Sequence, residues 1–247
     1  MALDTRGKNP VKKTTPKKSA SKRAGRPAAL WQSTIGKKVI MAVTGLVMIG
    51  YLLAHMVGNL KVFSGAESFN DYSHWLRELG APVLPNSGFL WIMRILLVVS
   101  VVAHIVAAVQ LTRRNVSGQP KSQSKKRLGG TYVAFTMRSG GIVLALFVIW
   151  HLLDLTTLTV NERAEVGHPY ENLVATFSTW YGNVIYIAAL VALGLHLRHG
   201  IWSAAQTLGV GTARRDRAVR AGANLLALAI SGGFILIPLA VMTGLVS

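Results

Sequence analysis

The sequence predicts an all-α integral membrane protein, a bundle of five transmembrane helices. Of its 247 residues 51% are hydrophobic and only 15% charged, and the mean hydropathy is +0.41. Five continuous apolar runs each reach the length of about 20 residues that crosses a hydrocarbon core of about 30 Å at roughly 1.5 Å per residue. Against this stands a formal net charge of +18, from 27 Lys+Arg and 9 Asp+Glu. Basic and apolar blocks must therefore alternate along the chain. Helices are expected rather than barrel strands because the runs are continuous instead of alternating, and because backbone in lipid must satisfy its own hydrogen bonds.

Residues 1–30 are a low-complexity stretch of Lys, Arg, Thr, Ser and Pro with almost nothing to bury. They read as a disordered basic cytoplasmic tail that meets anionic headgroups, and nucleic acid is not expected as a partner. A signal peptide would need a short apolar run of about 7–15 residues, and the run that follows this tail is longer. Residues 31–247 form the five-helix domain, with helices expected at about 36–60, 88–112, 138–160, 182–208 and 222–246. The first and last apolar runs hold no charge, while the three between hold Arg94, Asp154 and Arg198 in turn. The absence of cysteine excludes disulfides, thioether-attached haem, thiolate-held iron–sulfur clusters and cysteine nucleophiles within this chain.

Direction follows from the basic residues. Eleven lie in the tail and the start of the first helix, seven between the second and third helices through Arg138, and four between the fourth and fifth. The other two connections hold Lys61, Arg77 and Arg163 against Glu67, Asp71, Glu78, Glu162, Glu165 and Glu171. Positive-inside asymmetry then predicts a cytoplasmic N-terminus and an outer C-terminus.

Four of the seven histidines fall one to each of the first four helices: His55, His104, His151 and His196. Ionisable residues at membrane depth are costly and face the bundle interior or a cofactor. Counted along the helices, His55 and His151 fall in the outer half. His104 and His196 fall in the inner half, roughly 11 and 18 Å from the inner end at about 1.5 Å per residue. Two imidazoles facing each other at one depth are what bis-histidine ligation of a b-type haem requires, so the spacing suggests two haems stacked across the membrane, between helices 1–4. Gly45, Gly50, Gly58, Gly140, Gly141, Gly194 and Gly200 are small enough to admit a flat macrocycle or simply to pack helices closely.

At these residues, AHMVGNLKVFSGAESFNDYSHWL, VAHIVAA, FVIWHLLD and GLHLRHGIWS, the chain resembles the di-haem, single-chain cytochrome b membrane anchor of succinate:menaquinone oxidoreductases and related fumarate reductases. The likeness runs from about Ile35 to the C-terminus. It implies two haem b, the distal one ligated by His55 and His151 and the proximal one by His104 and His196, with menaquinone as substrate. It also implies flavoprotein and iron–sulfur partner subunits and a place in the bacterial inner membrane. On this reading the chain is a relay with no catalytic residue for succinate. The pattern has one histidine where this chain has His196 and His199, and no counterpart of the basic tail.

Residues of lower rank follow from depth and charge beside the proposed haems. Haem propionates need donors: Arg94 stands at the outer level, with Arg198, His199, Lys37, Lys38 and Arg138 at the inner one, although snorkelling to headgroups explains the terminal ones equally. A quinone site needs a group that handles protons. Asp154, one turn beyond His151, matches a carboxylate of the family, and the alternative is a helix-end acceptor for an outer-loop residue. Glu78, His74 and Trp150 are weaker candidates, and Tyr51 is read as packing. Two other readings stay open: a di-haem anchor of another dehydrogenase, and a non-haem proton- or ion-translocating subunit.

Overall fold

The computed structural model describes residues 33–117, 128–210, 212 and 214–247. The basic tail expected at 1–30 and the basic stretch 118–127 lie outside the described residues. Five helices are long and apolar enough to cross a membrane, and no strand occurs among the described residues.

The chain runs through α1 (Thr34–Leu60), a 3-10 turn (Lys61–Ser64), α2 (Ala66–Glu78), α3 (Gly88–Ser117), α4 (Leu128–Leu155), α5 (Pro169–Phe177), α6 (Trp180–Thr207) and α7 (Asp216–Met242). Local chemistry sets most of these ends. Ser33 caps α1 by accepting from Gly36 N at 2.8 Å, and Thr179 caps α6 by accepting from Gly182 N at 3.1 Å; each satisfies one orphan donor of a first turn. Pro169 opens α5, where a missing N–H costs nothing. Gly209 follows α6 at φ 76°, and Val210 N reaches back to Ala205 O at 2.9 Å. This is the left-handed closure that glycine permits.

The spanning helices differ from the expected ranges where the sequence holds no stop signal or an unexpected one. Helix α3 continues through Arg113 and Arg114 to Ser117, because helix-compatible residues do not unwind on leaving the apolar layer. Helix α7 starts at Asp216 instead of about 222. There Asp216 pairs with Arg220 one turn on, at 2.7 Å, a favourable i,i+4 arrangement with the acid at the positive helix end. Helix α4 spans 128–155 where 138–160 was expected. Its end is fixed by Thr157 and Thr159, whose hydroxyls donate to Leu153 O at 3.4 and 3.3 Å, an alternative to continued helix.

Helix α6 packs on α1, α4 and α7, and α1 also packs on α3 and α7. The remaining short helices, α2 and α5, lie in connections read from sequence as loops, and they close one end of the bundle together. Asn70 Nδ2 donates to Glu171 at 3.1 Å, Tyr170 N donates to Asn70 Oδ1 at 3.1 Å, and the Phe69 and Tyr170 rings meet edge-on at 6.2 Å. Beneath this cap a buried cluster of Val62, Leu173, Phe177, Tyr186 and Ile237 fills the space between α5, α6 and α7. Outward faces of the long helices are rich in exposed apolar side chains, such as Val98, Ile142 and Leu228, a surface suited to lipid and not to water.

Candidate functional site

The four helix histidines meet in two pairs. His55 on α1 and His151 on α4 have ring centroids 5.9 Å apart, and His104 on α3 and His196 on α6 stand 6.3 Å apart. Neither α1 with α4 nor α3 with α6 is among the closely packed helix pairs. Each imidazole pair thus bridges two helices that do not pack closely on each other.

The levels are well separated. Gly45 on α1 faces the second pair, where an added Cβ would lie 3.6 Å from His104 Cε1, and Gly141 on α4 faces it from the other side, 3.9 Å from His196 Cε1. Gly45 precedes His55, and Gly141 precedes His151, by ten positions in each helix. At roughly 1.5 Å per residue the two levels are about 15 Å apart. The observed helix ends also tighten the register within each pair, since His55 stands five residues before Leu60 and His151 four before Leu155.

The other glycines divide. Gly58 lies against the Tyr72 ring and Gly194 against Ser231, as in ordinary helix packing, whereas Gly50, Gly140 and Gly200 face open space.

Hydrogen bonds orient two of the rings. His104 Nδ1 lies 3.1 Å from Met41 O. A carbonyl only accepts, so that nitrogen carries the proton and Nε2 keeps its lone pair. His151 Nδ1 lies 3.2 Å from Tyr186 Oη, and the Tyr186 hydroxyl donates to Asp154 Oδ2 at 2.7 Å. Tyr186 thus spends its one proton on Asp154 and accepts from His151, which again leaves Nε2 free. His196 Nδ1 is buried and finds no partner. Above His55, Asn59 Nδ2 donates to His55 O at 2.8 Å and lies 3.3 and 3.4 Å from the two ring nitrogens. Tyr51 stacks on the His55 ring at 5.2 Å and Phe234 tilts against it at 5.7 Å.

The separations of the two pairs match what two imidazoles holding one metal ion would need. A ring nitrogen bonds a first-row metal at about 2 Å and the imidazole centre lies about 1.1 Å behind it, so two imidazoles on opposite sides of one ion put their centroids about 6.2 Å apart. Both pairs stand near that separation. Among the described residues no group of three or more His, Cys, Asp or Glu side chains gathers to hold a metal ion. Gly45 and Gly141 stand beside the His104–His196 pair, where even an added Cβ would make only ordinary contact with a ring.

The remaining predicted residues fall in different places. Asp154 is 4% exposed and accepts from Thr176 Oγ1 at 3.1 Å on both oxygens as well as from Tyr186. With Trp150, whose indole N–H is buried and unpartnered, it borders a cavity of ≈ 190 Å³ also lined by Asn161, Arg163 and Tyr181. Arg94 is exposed and lies over the Trp91 ring at 5.0 Å; Arg198 is exposed and His199 half-buried. Glu78 is exposed at the end of α2, and its side chain makes no hydrogen bond or ion pair among the described residues. Arg114 reaches Thr34 Oγ1 at 3.5 Å, near buried Lys37.

Tyr186 and Thr176 were missed from sequence. A signal for Tyr186 existed: six residues into α6 from the capped end, it sits at the depth of His151. Thr176 gave none, because its helix, α5, was read as loop.

The chain is similar to the succinate dehydrogenase cytochrome b558 subunit of Bacillus subtilis (strain 168). The two are 24% identical over 189 residues, which is 75% of this chain and 85% of that protein. No family model matches the chain, and no solved structure matches it.

Proposed function

We propose that this chain is the membrane-anchoring cytochrome b subunit of a succinate dehydrogenase, carrying electrons through two b-type haems to menaquinone. The observation that carries this reading is the pairing of four intramembrane histidines at two levels. The similarity to a protein named as a succinate dehydrogenase cytochrome subunit supports the choice of dehydrogenase.

A b-type haem, when bound, supplies one-electron transfer at its iron. His55 and His151 would hold one such group and His104 and His196 the other. The protein's part is positional. Met41 O and Tyr186 fix two of the rings with Nε2 available, the glycines leave space for a planar group, and the apolar helices keep bulk water from the centres. Arg94, Arg198 and His199 are the proposed propionate partners. Asp154, beside the Trp150 cavity, is a better placed acid for quinone chemistry than exposed Glu78.

The charge asymmetry supports an N-terminus in the cytoplasm and a C-terminus outside. The His104–His196 level then faces the cytoplasm, where a flavoprotein and an iron–sulfur subunit would dock. The bacterial cell membrane is the proposed location.

Pyridine haemochrome quantitation of the purified complex tests the reading. About two haem b per chain are expected together with a flavin-bearing, succinate-oxidising partner, and haem absent from the chain overturns it. Haems found with a different dehydrogenase would instead favour the anchor of another enzyme.

A further inference from the structure

On the reading that His151 is an iron ligand, we infer that Tyr186 is a positioning residue for it, linking the imidazole to the Asp154 carboxylate and so setting the electron donation of that one centre.

Three helices contribute to the arrangement. His151 Nδ1, on α4, lies 3.2 Å from Tyr186 Oη, on α6; Tyr186 donates to Asp154 Oδ2 at 2.7 Å, one turn beyond His151 on α4; and Thr176, on α5, donates to the same carboxylate at 3.1 Å. Asn161 Nδ2 in turn donates to Thr176 Oγ1 at 3.1 Å. Thr176 Oγ1 also lies 3.1 Å from Asn172 O, so its one proton is shared between that carbonyl and the carboxylate. Asp154 only accepts, from Tyr186 and from Thr176, as an ionised carboxylate does. Tyr186 has one proton, used on Asp154, so toward His151 it is the acceptor.

The Tyr186 ring is 5% exposed and is held edge-on by Phe147 at 5.0 Å and by Phe177 at 4.9 Å. That clamp aims the hydroxyl into the gap between His151 and Asp154. Phe147 also stacks on His151 at 5.8 Å, so both partners of the hydrogen bond are held by the same side chain.

The other three rings lack this device. His104 Nδ1 meets the neutral Met41 carbonyl and the Thr44 hydroxyl, which itself donates to Ile40 O; His196 Nδ1 has no partner; and the His55 ring nitrogens meet the Asn59 amide, so among the described residues no carboxylate stands behind any of them. An acceptor behind Nδ1–H increases the basicity of the opposite nitrogen and favours the more positive metal. A carboxylate one hydroxyl away strengthens that effect beyond what a carbonyl supplies. The two centres are therefore inequivalent, and Tyr186 contributes to the difference.

The test uses the intact complex and reads potentials and the low-spin ferric signals as well as activity. The centre that disappears in His151→Ala identifies the one concerned. Tyr186→Phe keeps the ring and its packing but removes both hydrogen bonds. It is expected to shift that centre's reduction equilibrium about tenfold toward the reduced form, about 59 mV for one electron, to alter its ferric signal, and to leave the His104–His196 centre unmoved. Asp154→Asn is expected to shift the same centre in the same direction, and to do so by a smaller amount when Tyr186 is already phenylalanine.

Tyr186→Phe with both potentials unchanged overturns the inference, and so does a full Asp154→Asn effect without Tyr186. Should Tyr186→Phe fail to assemble, Asp154→Asn alone decides, an unmoved potential counting against the inference. Haem missing from the wild-type complex would instead defeat the functional reading on which the inference rests.

Discussion

His55 and His151 meet with their rings 5.9 Å apart and nearly perpendicular, at 78°, although the helices that carry them are not close packing partners. Helix α6, packed against both α1 and α4, holds the two backbones at that distance. The two imidazoles thus bridge helices that do not pack closely on each other, with Tyr51 and Phe234 against one ring and Phe147 against the other.

On the proposed two-haem reading, replacing His151 by Ala is expected to remove one haem and leave the His104–His196 centre spectrally intact. The centres are separated by about 15 Å along α1 and α4 at roughly 1.5 Å per residue, so truncating a ligand at one level should not disturb the other. Reduced-minus-oxidised spectra and haem content per chain are the measurements. Loss of both haems from a protein with wild-type helix content would mean the pairing is wrong.

At Gly45 the size of the side chain should matter. A Cβ there would reach ordinary contact with His104 Cε1, at 3.6 Å, so Gly45→Ala is expected to keep both centres. Gly45→Leu pushes further into the space beside the ring and is expected to lose the His104–His196 centre alone. If the leucine variant binds two haems with unchanged spectra, Gly45 serves helix packing only.

The corner between α5 and α6 is predicted to be intolerant. A Cβ on Gly182 would collide with the Thr176 carbonyl, and Gly182 N is the donor that the Thr179 cap needs. Gly182→Ala is expected to cost about 1–3 kcal/mol through forced backbone shifts, lowering the melting temperature of the purified complex. Because Thr176 also donates to Asp154, the ferric signal of the His151 centre should move while the other stays. A wild-type melting curve would show that the corner yields freely.

Topology is open to direct measurement. A reporter that is active only outside the cytoplasm should work when fused after Ser247 and fail in the connection between α3 and α4. The opposite pattern would reverse both the assigned direction and the face offered to the soluble subunits.

Much of the architecture was legible from residue order. Continuous apolar runs without charge identify spanning helices directly, since in lipid the backbone has no other economical option. Helix limits were less legible. The run through Thr156, Thr157 and Thr159 is apolar enough to extend α4 on paper, yet the threonine hydroxyls take Leu153 O and end it. Helices α2 and α5 carry polar residues and so read as loop; only their mutual contacts, Asn70 with Glu171 and Phe69 with Tyr170, reveal them as a cap.

The polar network at His151 was half legible. Asp154 stood out as a lone acid in an apolar run, with two readings open. As read for a structural role, it does accept a hydrogen bond from an outer connection, through Thr176. Tyr186 did not stand out, because an aromatic residue in a spanning helix is ordinary and nothing in its neighbours tells which way the hydroxyl points.

The sequence by itself determined how many helices are long and apolar enough to cross, which end carries the positive charge, and in which half of its helix each histidine lies. Depth is linear in residue number along a helix, at roughly 1.5 Å per residue, so counting suffices. What it left undetermined is rotation. Each residue turns a helix by about 100°, and a run that is apolar on every side has no preferred face. Only the packing of α6 against α1, α4 and α7 decided that the four imidazoles meet in two pairs and that Tyr186 reaches both His151 and Asp154.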